Sequence, residues 1–231
     1  GFNKFYLALT VPLWIHGGNT RTRDYVIRRE FRLVEGDAYN RLLVNRARKR
    51  LEGLGYFKKV EISREPGSAP DRVILNVVLV EQSTGELSVG GGYSTNEGVI
   101  GDISISERNL LGRGQFLRLR LAGSFERLQI DLSFTEPRFL DRNLSAGFDI
   151  FHKEVDLTSE SSYKSRKTGG GLRLGFPLAE DTWMNTRYTF VRDQVFDVRP
   201  GASLAVLDAE GTNIVSSVGY GITYDTRNLK R

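Results

Sequence analysis

His152 stands in a polar stretch with Glu154, Asp156, Ser159, Ser161 and Ser162. A nucleophile, a base and an orienting acid within one loop are the ingredients of a hydrolase site, but a polar exposed loop accounts for the same residues. The chain has two His and no Cys. It contains no HExxH helix, no Gly-x-Ser-x-Gly elbow and no Gly-Lys-Ser/Thr phosphate loop. No catalytic residue, cofactor-binding residue or metal ligand is therefore expected, and the chain is not read as an enzyme. Gly90-Gly91-Gly92 has no helix after it, so it reads as a weakened strand rather than a ligand loop.

The remaining chemistry-bearing residues are charges, and their spacing is that of strands. Leu117, Leu119 and Leu121 alternate with Arg118 and Arg120; Ile130, Leu132 and Phe134 alternate with Asp131, Ser133 and Thr135. Successive strand residues point to opposite faces, so one face suits lipid and the other a wet lumen. The same period recurs in Ile103 and Ile105, in Ala146, Phe148 and Ile150, in Leu172 and Leu174, in Tyr188 and Phe190, and in Val218, Tyr220 and Ile222. With Leu87, Val89 and Tyr93 at the start, residues 85–231 read as about eight antiparallel strands, each of roughly the 9–11 residues that a tilted strand needs to cross a bilayer. A soluble sandwich also alternates, but its interior does not usually hold this many Arg and Asp on one face. Those charges are expected to pair within the lumen, Glu107, Asp131, Glu136 and Asp149 with Arg118, Arg120, Arg173 and Arg187. Turns near residues 110–114, 137–143 and 177–181 are short; those at 153–167 and 197–212 are long.

No run approaches the length of a transmembrane helix. The most apolar stretch, residues 5–15, is broken by Pro12 and lacks a basic start and a small-residue cleavage site, so it reads as a buried strand and its approach rather than a signal peptide. A chain of this kind must be exported, and it is expected to be an excised or mature portion of a longer one.

Charge is uneven. Residues 1–84 carry 15 Lys+Arg against 9 Asp+Glu, and residues 85–231 carry 18 against 19. The basic excess gathers around Arg46, Arg48, Lys49 and Arg50, which form either a solvated helix face or a surface for an acidic partner or anionic headgroups. No aromatic-interleaved or recognition-helix pattern accompanies it, so nucleic acid is not expected. Residues 1–84 read as a small α+β domain of order βααββ: a strand near 11–15, a helix over 22–33, a second helix with Asp37 as N-cap and Leu43, Ala47, Leu51 and Leu54 at helical spacing, then strands over 57–64 and 72–81. Gly55 supplies the left-handed helix stop.

That order, with the segment running from Leu51 through Gly55, Tyr56 and Phe57 to Val60, resembles a POTRA domain, the periplasmic module of outer-membrane assembly and secretion barrels. The run from Asn19 to Glu30 is similar to the start of the last POTRA of the BamA family. Residues 81–94 (EQSTGELSVGGGYS) resemble that family's junction and first barrel strand, and residues 106–115 (SERNLLGRGQ) and 133–140 (SFTEPRFL) match it as well. The resemblance implies a mixed fold: a POTRA domain over 1–84 in the periplasm, then over 85–231 part of a transmembrane β-barrel, half of a sixteen-stranded one. It implies a bacterial outer-membrane protein that folds and inserts client barrels by strand templating, without cofactor. Its gate strand is expected to hold Leu87, Val89, Gly90, Gly91, Gly92 and Tyr93, coupled to the POTRA by residues 82–86. A POTRA edge strand of Phe57, Lys58, Lys59, Val60, Glu61 and Ile62 is expected to admit extended clients. Expected partners are nascent outer-membrane proteins, periplasmic lipoproteins of a BamD-like kind and outer-membrane lipid. A two-partner secretion or autotransporter-assembly barrel, and a passive channel or structural anchor, remain open alternatives.

Overall fold

The computed structural model describes residues 3–8, 21–33, 37, 39–67, 73–179 and 181–225. Among the described residues the order is β1 (Asn3–Ala8), α1 (Asp24–Arg28), α2 (Arg41–Gly53), β2 (Phe57–Pro66), β3 (Val73–Glu81), β4 (Gly85–Ser94), β5 (Gly98–Leu110), β6 (Gln115–Gly123), β7 (Arg127–Glu136), β8 (Ser145–Leu157), β9 (Tyr163–Ala179), β10 (Thr182–Phe196), α3 (Leu204–Asp208) and β11 (Gly211–Tyr224). The chain divides into two compact units. One is Gly1–Gly85 together with Arg108–Gly114; the other is Glu86–Glu107 with Gln115–Arg231.

In the first unit a three-stranded antiparallel sheet of order β1-β3-β2 belongs to a domain whose core is closed by Val26, Ile27, Phe31, Leu33, Val44, Ala47, Leu51, Tyr56, Phe57, Val60, Leu75, Val77 and Leu79. On α2, Val44, Ala47 and Leu51 recur at helical spacing and are buried, with Leu43 and Leu54 packed beside them. Gly55 follows with φ +70, which an L side chain resists and glycine accepts.

Two expectations for this domain change. The strand expected over 11–15 lies outside the described residues, and β1 is Asn3–Ala8. The first helix is five residues long rather than twelve. Phe31 and Leu33, two apart, both enter the core, a spacing that extended chain satisfies and helix does not. The cap of α2 is Asn40, not Asp37: its Oδ1 accepts from the amides of Leu42 at 2.9 Å and Leu43 at 3.3 Å, leaving Asp37 upstream of the helix.

In the second unit β4 to β11 form one eight-stranded sheet in sequence order, each strand beside its chain neighbour. The register makes the two faces explicit. Leu117, Phe134, Phe148, Leu172, Tyr188 and Val218 are successive cross-strand partners from β6 to β11, and so are Arg118, Ser133, Asp149, Gly171, Thr189 and Ser217 one residue along. One row is wholly apolar or aromatic and the next wholly polar or glycine. The apolar row is open to its surroundings, Leu172 at 61% and Val218 at 79% exposure, although Phe134 and Phe148 stack with ring centroids 5.4 Å apart. No helix among the described residues is long and apolar enough to cross a membrane; the apolar rows are carried by strands.

Strands β5 and β8 to β11 overrun their expected lengths, β9 reaching 17 residues. The loop expected over 153–167 shrinks to residues 158–162 because pairing continues past the apolar rows. Beyond Ile150, the positions on the apolar side become His152, Glu154 and Asp156, opposite Thr168, Arg166 and Lys164. Glu154 meets Arg166 at 2.9 Å and Asp156 meets Lys164 at 3.4 Å, so cross-strand charge pairs hold the ladder together where lipid contact no longer does.

Candidate functional site: two sheet edges, a basic helix face and a docked turn

The expected gate residues lie on β4, which is the terminal strand of the large sheet. From Gly85 to Tyr93 every residue of the strand is exposed, and among the described residues its outer row of backbone groups has no strand partner. A Cβ at Gly92 would meet nothing within 4 Å, and one at Gly90 or Gly91 would meet only atoms of β5 at 3.6 Å or beyond. Space does not require these glycines. What they do is remove packing surface and leave the strand entropically loose, at a cost of roughly 0.5–1 kcal/mol each relative to Ala. The opposite edge of the sheet, β11, is equally exposed along its length.

In the small sheet β2 is an edge strand. Its register slips between Phe57 and Lys59, leaving Lys58 bulged. The slip places Phe57 and Val60, three apart, both in the core while Lys58, Lys59 and Glu61 face outward, and Ile62 is half-buried. Lys59 Nζ and Glu61 Oε1 are 2.7 Å apart. A bulge and paired charges are devices by which an edge discourages indiscriminate pairing.

The basic residues of α2 separate into two groups. Arg46, Arg48 and Lys49 are exposed, Arg48 lying 3.9 Å from Glu52 one turn on. Arg50 is different: its Nε and Nη2 donate to the Glu30 carbonyl at 2.8 and 2.6 Å, and it stands 3.8 Å from the buried Glu30 carboxylate. It joins α2 to the chain after α1, so any outward basic face rests on the other three.

His152 donates to or accepts from Thr168 Oγ1 through Nδ1 at 2.8 Å, and its Nε2 is 3.9 Å from Glu154. Ser159 Oγ points to Glu126 at 3.4 Å. The described hydrogen bonds form no Ser–His pair, so the loop does not assemble the triad its composition allowed. Among the described residues no group of three or more His, Cys, Asp or Glu could hold a metal ion.

A further constellation was not singled out in the sequence as an interaction. The turn between β5 and β6, residues 108–114, belongs to the first unit. Asn109 is 1% exposed; its Nδ2 donates to Thr22 Oγ1 at 2.9 Å and its Oδ1 accepts from the Gly114 amide at 2.8 Å. The Arg23 amide donates to the Gly112 carbonyl at 2.8 Å, and the Tyr56 hydroxyl lies 3.4 Å from the Gly114 carbonyl. Gly112 (φ +72) is required twice over, since a Cβ there would fall 1.7 Å from the Arg21 carbonyl oxygen. The only signal in the sequence was that Asn109, Gly112 and Gly114 fall within the stretch carrying the family resemblance; their partner Thr22 lies 87 residues away.

Gly112→Ala is expected to expel this turn, seen as loss of hydrogen-exchange protection at the Arg23 amide. Gly53→Ala, where a Cβ meets nothing within 4 Å, should leave that amide protected. Equal protection in both variants would show that the turn is not held by this close approach.

Comparison with known proteins agrees with these features. The Omp85 superfamily domain matches residues 109–230, and the POTRA family described as surface antigen variable number repeat matches residues 15–82. Among relatives, the outer membrane protein assembly factor BamA of Neisseria meningitidis is 38% identical over 71% of this chain and 21% of its own length. That of Neorickettsia risticii is 33% identical over 89% and 28%, and that of Nitratidesulfovibrio vulgaris 34% identical over 92% and 26%. The chain thus spans about a fifth to just over a quarter of the length of these relatives. The crystal structure of Haemophilus ducreyi BamA lacking POTRA domains 1–3 superposes with a TM-score of 0.69 at 26% identity, covering 93% of this chain and 43% of that one. With a POTRA domain, a meander of two-faced strands and these relatives, the chain belongs to the Omp85 superfamily, as a BamA homologue.

Proposed function

We propose that this chain is the POTRA-bearing, gate-strand portion of an outer-membrane assembly factor that folds and inserts client β-barrel proteins by strand templating, with no catalytic step. The observation that carries the reading is β4: a terminal strand, exposed from Gly85 to Tyr93, with three successive glycines in its centre. An edge of this kind offers unpaired N–H and C=O groups, and in hydrocarbon such groups have no water to satisfy them. A client strand that pairs there gains hydrogen bonds that lipid cannot supply, and the glycines keep the competing closure weak. The relatives named as assembly factors support the same reading.

The POTRA domain sits on the periplasmic side in this proposal and the apolar rows of β6–β11 face outer-membrane lipid. The bulged edge β2 guides extended segments of nascent outer-membrane proteins, and the exposed face of Arg46, Arg48 and Lys49 takes an acidic periplasmic lipoprotein of the BamD-like kind. Secretion of a dedicated client, or a merely passive anchor, would leave the gate chemistry unused.

Three outcomes test this. A disulfide from a cysteine at Ser88 or Gly90 to the opposing strand of the intact barrel should abolish client insertion and leave folding unchanged; insertion at the normal rate in the locked protein would point to secretion or anchoring instead. A photo-crosslinking residue at the exposed Glu61 should capture unfolded clients. Val60 is not the place for such a probe, because it lies in the core, and an unreactive Glu61 site in a folded protein would count against pairing at β2. Reversing Arg46 and Lys49 to Glu should weaken lipoprotein association and flatten its salt dependence without unfolding the domain; a salt-independent complex that survives the reversal leaves this face merely solvated.

A further inference from the structure

On the polar face of the large sheet two arginines converge on one carboxylate. Arg173 on β9 and Arg187 on β10 stand directly opposite each other in the register, and like charges so placed repel. A single carboxylate serves both. Asp149 Oδ2 lies 2.8 Å from Arg173 Nε and 3.3 Å from Arg187 Nη2, while its Oδ1 accepts from Ser133 Oγ at 2.8 Å. Other ion pairs described on this face join one cation to one carboxylate, Arg120 with Asp102 at 2.6 Å and Lys167 with Asp193 at 2.8 Å, although Lys153 stands opposite Lys167 in the register.

The two guanidiniums are not equally occupied. Arg173 Nη2 donates to Ser133 Oγ at 3.0 Å, Thr135 Oγ1 at 3.1 Å and the Phe134 carbonyl at 3.3 Å. Its Nε is buried without an aligned hydrogen-bond acceptor, close though Asp149 is. The Arg187 side chain is 54% exposed, and its one described polar contact is the 3.3 Å approach to Asp149. Both arginines line a cavity of about 390 Å³ that Ser145, Gly147, Gly175 and Asn185 also form, within the size range of ligand pockets. Glycine keeps it open. A Cβ at Gly175 would come within 2.5 Å of Ser145 Oγ and 2.8 Å of Asn185 Oδ1, and one at Gly147 within 2.6 Å of the Phe134 carbonyl. Asn185 Oδ1 accepts from Trp183 Nε1 at 3.1 Å, which leaves the amide nitrogen of Asn185 as its donor for whatever enters.

We infer that this cavity binds a carboxylate, presented by an acidic peptide segment on the polar side of the sheet. Arg187 is the principal donor, Arg173 the second and Asn185 the neutral one. A second carboxylate there would balance the two arginines and relieve their direct opposition, and guanidinium forks match carboxylates in geometry. A lipid headgroup fits less well, because the rows suited to lipid are on the opposite face.

Calorimetric titration of the intact protein, folded in detergent, tests the site with triglutamate, trilysine and inorganic phosphate as probes. Triglutamate should bind and trilysine should not. Loss of a charged hydrogen bond predicts that Arg187→Gln weakens triglutamate by about tenfold or more, with Arg187→Lys intermediate and added salt weakening the wild type. Asn185→Asp, which leaves both arginines in place but adds a negative charge, should weaken it likewise. The heat-modifiable gel shift of a folded barrel verifies each variant. Triglutamate affinity unchanged in both Arg187→Gln and Asn185→Asp would overturn the assignment. Phosphate binding as tightly as triglutamate would also overturn it, by making the cavity a site for any small anion.

Discussion

Backbone hydrogen bonding in a medium without water is the constraint from which most of this molecule follows. A strand that shows one face to hydrocarbon must give every N–H and C=O to a neighbouring strand. The sheet from β4 to β11 obeys this by the simplest route, each strand pairing only with those next to it in sequence. The cross-strand rows then sort themselves, because a period of two along each strand becomes a continuous apolar or polar row across all of them. The rule can lapse only at β4 and β11. Function that works through the backbone is therefore confined to the edges, while function that works through side chains is free to occupy the polar face.

Side-chain charge has two separate duties on the large sheet. Past the apolar rows, Glu154 with Arg166 and Asp156 with Lys164 extend the ladder beyond the length that lipid contact alone would support. On the polar face, paired charges such as Arg120 with Asp102 fill space without net charge, whereas two arginines share the single carboxylate of Asp149. The small sheet handles its own edge differently. There a bulge at Lys58 and the pair Lys59 with Glu61 are devices that discourage indiscriminate pairing.

What could be read in the sequence was local. Alternation such as that of residues 117–121 is written within a few residues, so the strand faces and their number were legible, and the helical spacing of Ala47 and Leu51 with the stop at Gly55 was legible for the same reason. The misreadings each turn on a contact the local pattern does not encode. Asp37 and Asn40 are both good capping types, and only the hydrogen bonds from the Leu42 and Leu43 amides to Asn40 Oδ1 decide between them. Arg120 was expected to find its partner among Glu107, Asp131, Glu136 and Asp149, and Asp131 is its direct register partner, yet it bonds Asp102 on the other side, while Gln129 donates to Asp131 at 2.8 Å. Arg50 looked like its exposed neighbours on α2 until Glu30, 20 residues earlier, claimed it. The docking of Asn109 on Thr22 was the least legible of all, since a single buried amide carries no periodic signal.

The strictly sequential strand order has a kinetic meaning as well. Pairing only nearest neighbours keeps the sequence separation of contacts small within the sheet, and such topologies close loops cheaply and need no distant partner before a hairpin becomes stable. From β4 onward the sheet can grow one hairpin at a time in the order in which the chain is delivered, with β4 as the fixed starting template and the newest strand always as the growing end. The sheet of a protein proposed to template other strands is thus laid out as a product of the same stepwise addition.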